Sequence, residues 1–181
     1  MGDFPLINTQ NLTLSAFTAA DAPLVQAFAS EHALISMLDN APCPYPDGAA
    51  AEWITTHPGL FAASQALYLA VRLREGKQLI GCVELHDIRQ GHRAELGYWI
   101  ALPFQRRGYA FEAACAMLRY GFGEMNLQRL DATVLTRNAP SIALLEKAGF
   151  VREGMRPQWG VSCGKPEDIF CYGLYRAILT G

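Results

Sequence analysis

The sequence predicts an α/β (α+β) chain in which helices flank a mixed, largely antiparallel sheet, and three observations point that way. Of 181 residues, 51% are hydrophobic and only 18% charged, enough to fill one sizeable core. Several short segments alternate apolar and polar side chains with the period of two that half-buried strands require. Other segments repeat apolar residues every three to four positions, most clearly Phe111, Ala114, Cys115, Leu118 and Phe122.

In chain order, Leu12 to Phe17 alternates as a strand. Thr18 with Asp21 three residues on resembles a capping box opening a helix through about Ser30. A short helix follows near His32 to Leu38. Ala41 to Pro46 is proline-rich but too short for a linker and reads as a loop. Gly48 to Thr56 reads as helix. Ala66 to Arg72 and Gln78 to Ile88 form a hairpin around Glu75-Gly76, and Arg93 to Ile100 is the next strand. After a loop at Ala101 to Arg107 comes the long amphipathic helix, with Gly121 and Gly123 as its frayed end. Arg129 to Leu135 is a strand and Asn138 to Ala148 a helix. Phe150 to Arg156 and Asp168 to Tyr175 are the last strands.

The formal net charge is -2, so no basic field argues for nucleic acid or an anionic membrane as main partner. No apolar run approaches the ~20 residues of a membrane span, and Asp3 stands where a secretory leader would be basic. The five cysteines are odd in number, scattered and without a C-x-x-C pair. That argues against a disulfide framework or a zinc site, and for a reducing, cytoplasmic location. His32, His57, His86 and His92 show no ligand spacing, so no metal is expected. Gly160 to Pro166 superficially resembles a P-loop. It lacks a residue between its glycines and has Pro166 where Ser or Thr should reach magnesium, so it is set aside.

Chemistry concentrates at Gln105-Arg106-Arg107-Gly108-Tyr109-Ala110, where a strand gives way to the long helix. Free N–H groups and the positive helix end make such a place an anion site, and Gly108 lets backbone approach a phosphate closely. Taken alone, the segment also suits an ordinary turn with two solvated arginines. Glu95 to Ile100 followed by Pro103 to Ala110 resembles motif A of the GNAT acetyltransferases, Q/R-x-x-G-x-G/A after a strand. Asn138-Ala-Pro-Ser141, with its helix ending at Gly149-Phe150, resembles the next motif of that family. Val151-Arg-Glu153-Gly154-Met-Arg156 is similar to the ending typical of its ribosomal-protein N-terminal acetyltransferase branch.

The resemblance implies a GNAT fold with a V-shaped strand splay, and one domain over residues 1–181. N-terminal strands and acceptor-side helices would occupy 12–92, coenzyme motifs 93–156, and a loop and strand 157–181. It implies acetyl transfer from acetyl-CoA to a primary amine, with a protein N-terminus as leading acceptor, in a monomer or homodimer. A small amine is the alternative, as is a coenzyme-A-binding sensor without turnover. Backbone groups of Tyr98, Trp99 and Ile100 would hold the pantetheine arm, and the amides of Gln105, Arg106, Arg107, Gly108, Tyr109 and Ala110 the diphosphate. Asn138 would contact the pantetheine arm as well as cap its helix. Ser141 is either the proton donor to the departing thiolate or a helix-start hydroxyl. Glu95 is either the general base, with Glu84 in reserve, or a structural partner of Arg93 or Arg129. Tyr172 and Asp168 either line the acceptor pocket or pack.

Overall fold

The computed structural model describes residues 3–176, whose strands form one eight-stranded sheet in the order β1-β2-β3-β4-β5-β6-β8-β7. These are β1 (Ile7–Asn8), β2 (Leu12–Ser15), β3 (Leu67–Leu73), β4 (Leu79–Arg89), β5 (Arg93–Ile100), β6 (Arg129–Leu135), β7 (Val151–Ser162) and β8 (Lys165–Tyr175). Every neighbouring pair is antiparallel except β5 and β6. The helices are α1 (Ala22–Ala29), α2 (His32–Ile35), α3 (Ala49–Ala62), α4 (Tyr109–Phe122) and α5 (Ala139–Lys147).

Alternation divides the sheet into two faces. Leu69 and Val71 of β3 and Val83 and Leu85 of β4 enter the main core with Ala113, Met117 and Phe122 of α4 and Leu145 of α5. Ala70 and Leu79 join a second core under Val25 of α1 and Ala50 and Ile54 of α3. The cavity described below is lined by residues from both layers.

Local signals act as read at α1, where Thr18 donates its N–H and hydroxyl to Asp21 Oδ2 at 2.7 and 2.9 Å. Asp21 also pairs bidentately with Arg72 of β3, which ties this corner to the sheet. Four expectations are corrected. α3 runs through Pro58 to Ala62 instead of stopping at Thr56, because Ile54 and His57 continue its buried face. Gly121 is a packing residue within α4, since a Cβ there would stand 3.3 Å from Leu130 Cδ1. β7 continues past Arg156 to Ser162, and Pro157 is tolerated there because β7 is an edge strand with shifted register.

The fourth correction concerns cysteine. Cys43 and Cys163, 120 residues apart, form a disulfide that pins the loop after α2 to the turn between β7 and β8. His32 Nε2 lies 3.9 Å from Cys163 Sγ. Sequence spacing gave no sign of the bond, because the two segments meet only through the return of the β7–β8 hairpin. Asn40 N–H to Val161 O (2.8 Å) and Ser162 Oγ to Ser36 O (2.7 Å) join the same two segments.

Candidate active site

β5 and β6 pair only from Arg93–Glu95 to Arg129–Asp131, then diverge over residues 96–100 and 132–135, leaving a backbone edge without a strand partner among the described residues. Ala101 N–H donates to Ile80 O at 2.8 Å, across the Gly81–Ile100 pair. By ladder alternation Trp99 therefore turns its N–H and C=O toward β4, while those of Tyr98 and Ile100 face the gap. The expected backbone role of Trp99 is corrected accordingly. Gln105 is corrected too: its amide donates to Leu102 O (3.3 Å), closing a 3₁₀ turn, and its Nε2 donates to Ile100 O (2.8 Å). It props the strand end, leaving the Ile100 N–H free toward the gap.

From Arg106 to Phe111 no amide has a backbone acceptor among the described residues. Arg106 and Gly108 have φ of +59° and +83°, which folds successive amides into a concave nest at the start of α4. Among the described residues nothing lies within 4 Å of where a Cβ on Gly108 would stand, so this side of the glycine is open to an incoming group. Arg106 and Arg107 are exposed beside it. Such a nest at the positive end of a 14-residue helix suits an anion with several oxygens.

The nest and the gap open into one cavity of about 1000 Å³ that reaches the layer of α1 and α3. On the coenzyme-motif side, the Tyr98 hydroxyl lies 2.7 Å from Ser141 Oγ. Burial pushes the Tyr98 phenol up to about 12, against the opposing effect of the Ser141 bond. Asn138 caps α5, its Oδ1 accepting from Ser141 N at 3.3 Å, and both line the cavity.

The opposite side carries carboxylates. Glu95, at the apex of the splay, accepts from Thr133 Oγ1 at 2.6 Å. Arg93 pairs with Asp131 at 3.1 Å, and Arg129 with Asp131 and Glu153, so Glu95 is not the structural partner of either arginine. Glu84 faces Gly97 on β5, where a Cβ would stand 2.6 Å from its Oε1. Burial pushes its carboxyl up and Glu95 adds to this, while His86 and the Cys82 thiol at 3.7 Å oppose it. Tyr172 and Asp168 lie outside the cavity lining. Tyr172 is buried with its hydroxyl donating to Glu146, and Asp168 accepts from Gln158 N–H.

Sequence reasoning missed the Tyr98 hydroxyl as a partner of Ser141, and the wall formed by Trp53 and Tyr68. Aromatic residues in strands and helices read as core, and only the tertiary fold directs these three into the cavity.

Residues 11–151 match the Acetyltransferase (GNAT) domain. The chain belongs to the GNAT acetyltransferase family. As a GNAT enzyme it is an acetyl-CoA-dependent N-acetyltransferase. It is 32% identical over 176 residues to the uncharacterized N-acetyltransferase YoaA of Bacillus subtilis (strain 168), covering 96% of this chain and 98% of that protein. The ribosomal protein uS5-alanine N-acetyltransferase of Escherichia coli (strain K12) is 32% identical over 105 residues, 57% of this chain and 54% of that protein. Spermidine N-acetyltransferase from Vibrio cholerae, solved with CoA and spermine, shares the fold at TM-score 0.82 and 24% identity, covering 96% of this chain and all of that one. This GNAT chain has no helix, among its described residues, long and apolar enough to cross a membrane.

Proposed function

We propose that this single-domain enzyme moves the acetyl group of acetyl-CoA directly to the N-terminal α-amine of a protein. The observation that carries the reading is the continuity of the amide nest at 106–111, the unpaired edge at Tyr98 and Ile100, and Glu95 within one cavity. Similarity to the uS5-alanine acetyltransferase over 105 residues supports the acceptor class.

In this reading the nest holds the diphosphate, with Arg106 and Arg107 screening its charge, and gap-facing backbone groups of Tyr98 and Ile100 hold the pantetheine amides. The acceptor must lose a proton to attack. An α-amine with pKa near ~8 is roughly a tenth neutral at pH 7, against less than about 0.1% for a lysine side chain. Glu95, hydrogen-bonded and at the apex, takes that proton. Ser141, with Tyr98 behind it, returns a proton to the leaving sulfur.

A small amine is the second reading, favoured by the cavity's carboxylates and aromatic wall. The test is thiol release from acetyl-CoA with peptides bearing ribosomal-protein N-termini beside a panel of small amines. Glu95→Gln is expected to lower kcat by about 10²–10⁴ with the KM for acetyl-CoA unchanged, and Gly108→Glu to abolish coenzyme binding. Release with small amines alone would replace the acceptor assignment. Coenzyme binding with no release would favour a sensor.

A further inference from the structure

Past the coenzyme edge, the cavity has a distinct far end. Glu84, His86 and Glu95 line it on the sheet, with Trp53 of α3, Tyr68 of β3 and Trp99 of β5 as walls. The only Lys or Arg residues among the described residues lining the cavity are Arg106, in the amide nest, and Lys147, whose Nζ lies 4.4 Å over the Phe111 ring. Both belong to the coenzyme side. The nearby Arg137 is engaged by Glu167 at 3.0 Å and by Ser36 O and Ser162 Oγ.

Glu84 has no cationic partner within salt-bridge distance among the described residues, only the Cys82 thiol. A carboxylate withdrawn from water without a counter-ion is costly, and one aimed into a cavity is compensated when a cation enters. The wall is fixed to receive one. Tyr68 stacks on His57 at 4.5 Å and 14°, and meets Trp53 edge-on at 5.5 Å. Burial, with Glu84 adding to it, pushes the Tyr68 phenol up to about 12, so its ring stays neutral beside the carboxylate. Neutral aromatic faces next to a carboxylate favour an alkylammonium over any anion.

We propose that Glu84 binds the acceptor's ammonium group and makes this a charge-selective subsite. It admits amines whose neighbouring group is neutral or cationic, such as a peptide N-terminus or a diamine, and rejects amines carrying a nearby carboxylate, such as free amino acids. The proposal rests on the acetyl-transfer reading. It deepens that reading by stating why a peptide, whose first carboxyl is an amide, fits where the free amino acid does not. Rejection arises because a substrate carboxylate would meet Glu84 and Glu95 with no Lys or Arg to pair it.

Two matched pairs of acceptors test this: alaninamide against alanine, and 1,4-diaminobutane against 4-aminobutanoate. Initial rates are measured with acetyl-CoA for the wild-type chain, Glu84→Gln and Tyr68→Leu. With kcat/KM expressed per neutral amine, so that differences in basicity cancel, the wild type is expected to favour the amide and the diamine by at least about tenfold. Glu84→Gln should lower kcat/KM for the favoured member and narrow both ratios, with the KM for acetyl-CoA unchanged. Tyr68→Leu, which keeps the carboxylate, should weaken binding of the diamine while retaining rejection of the acids. Wild-type indifference to the carboxylate, or ratios unchanged in Glu84→Gln, would overturn the proposal while leaving acetyl transfer intact. If no amine is turned over, the acetyl-transfer reading fails separately. Calorimetric titration of the same four amines into the CoA-saturated chain then decides this one: the same ordering supports it, and equal or absent binding refutes it.

Discussion

His57 should make this protein lose stability in mild acid. It lies in α3 at 2% exposure, enclosed by Phe17, Trp53 and Tyr68, and neither ring nitrogen has a hydrogen-bond partner among the described residues. Burial lowers its pKa from 6.5 to about 4. Between those values the unfolded chain takes up a proton that the folded chain refuses, so stability is intact above about pH 6.5 and falls as the pH drops toward 4. A shift of that size corresponds to a full loss of about 3 kcal/mol, of which about 2 kcal/mol is reached by pH 5. His57→Phe keeps an aromatic ring in the cluster and removes the titration. It should also relieve about 1–3 kcal/mol of unsatisfied polar burial at neutral pH. Urea unfolding of both proteins at pH 7.5 and 5.0 measures this directly. The wild type should lose about 2 kcal/mol more than His57→Phe between the two conditions. Parallel losses would show that His57 is not the group responsible, and the account of its burial would be wrong.

Two further outcomes follow from the same structure. The Cys43–Cys163 bond closes a loop of 120 residues, so chain entropy predicts a loss of about 5 kcal/mol on reduction. Thermal unfolding with and without dithiothreitol should show it, and Cys43→Ser should show no further response to reductant. At the Asp21–Arg72 pair, burial alone would raise the Asp21 pKa, but the Arg72 guanidinium and the Thr18 donors hold the carboxyl below its usual 3.8. Its contribution is therefore present above that value and lost as pH falls below it, a more acidic window than that of His57. Asp21→Asn should cost about 3 kcal/mol at pH 7 by leaving Arg72 without its counter-ion, read as a lower urea midpoint at unchanged slope.

Much of the fold was legible because local signals agreed with the tertiary result. β5 and β6 occur over the residues their alternation marked, and Asn138 caps α5 as its side-chain chemistry requires. Gly108 marked exposed backbone at the start of the long helix, and it heads α4 in a left-handed conformation. Illegible were features whose partners lie far along the chain. Cys163 could not be matched to Cys43, nor Tyr98 to Ser141, because 120 and 43 residues separate them. Alternation ends near Arg156, and only pairing with β8 carries β7 through Pro157 and Gly160 to Ser162.

The sequence by itself determined the family, the glycine at the head of α4 and the order of helices and strands from β2 onward, since each depends on residues within one or two turns of one another. The tertiary structure alone decided which backbone groups of β5 remain open, because that depends on where β6 stops pairing with it. It alone decided that Glu84 faces a cavity without a counter-ion among the described residues and that His57 is sealed from water, because burial is a property of what packs around a residue and no local pattern encodes it.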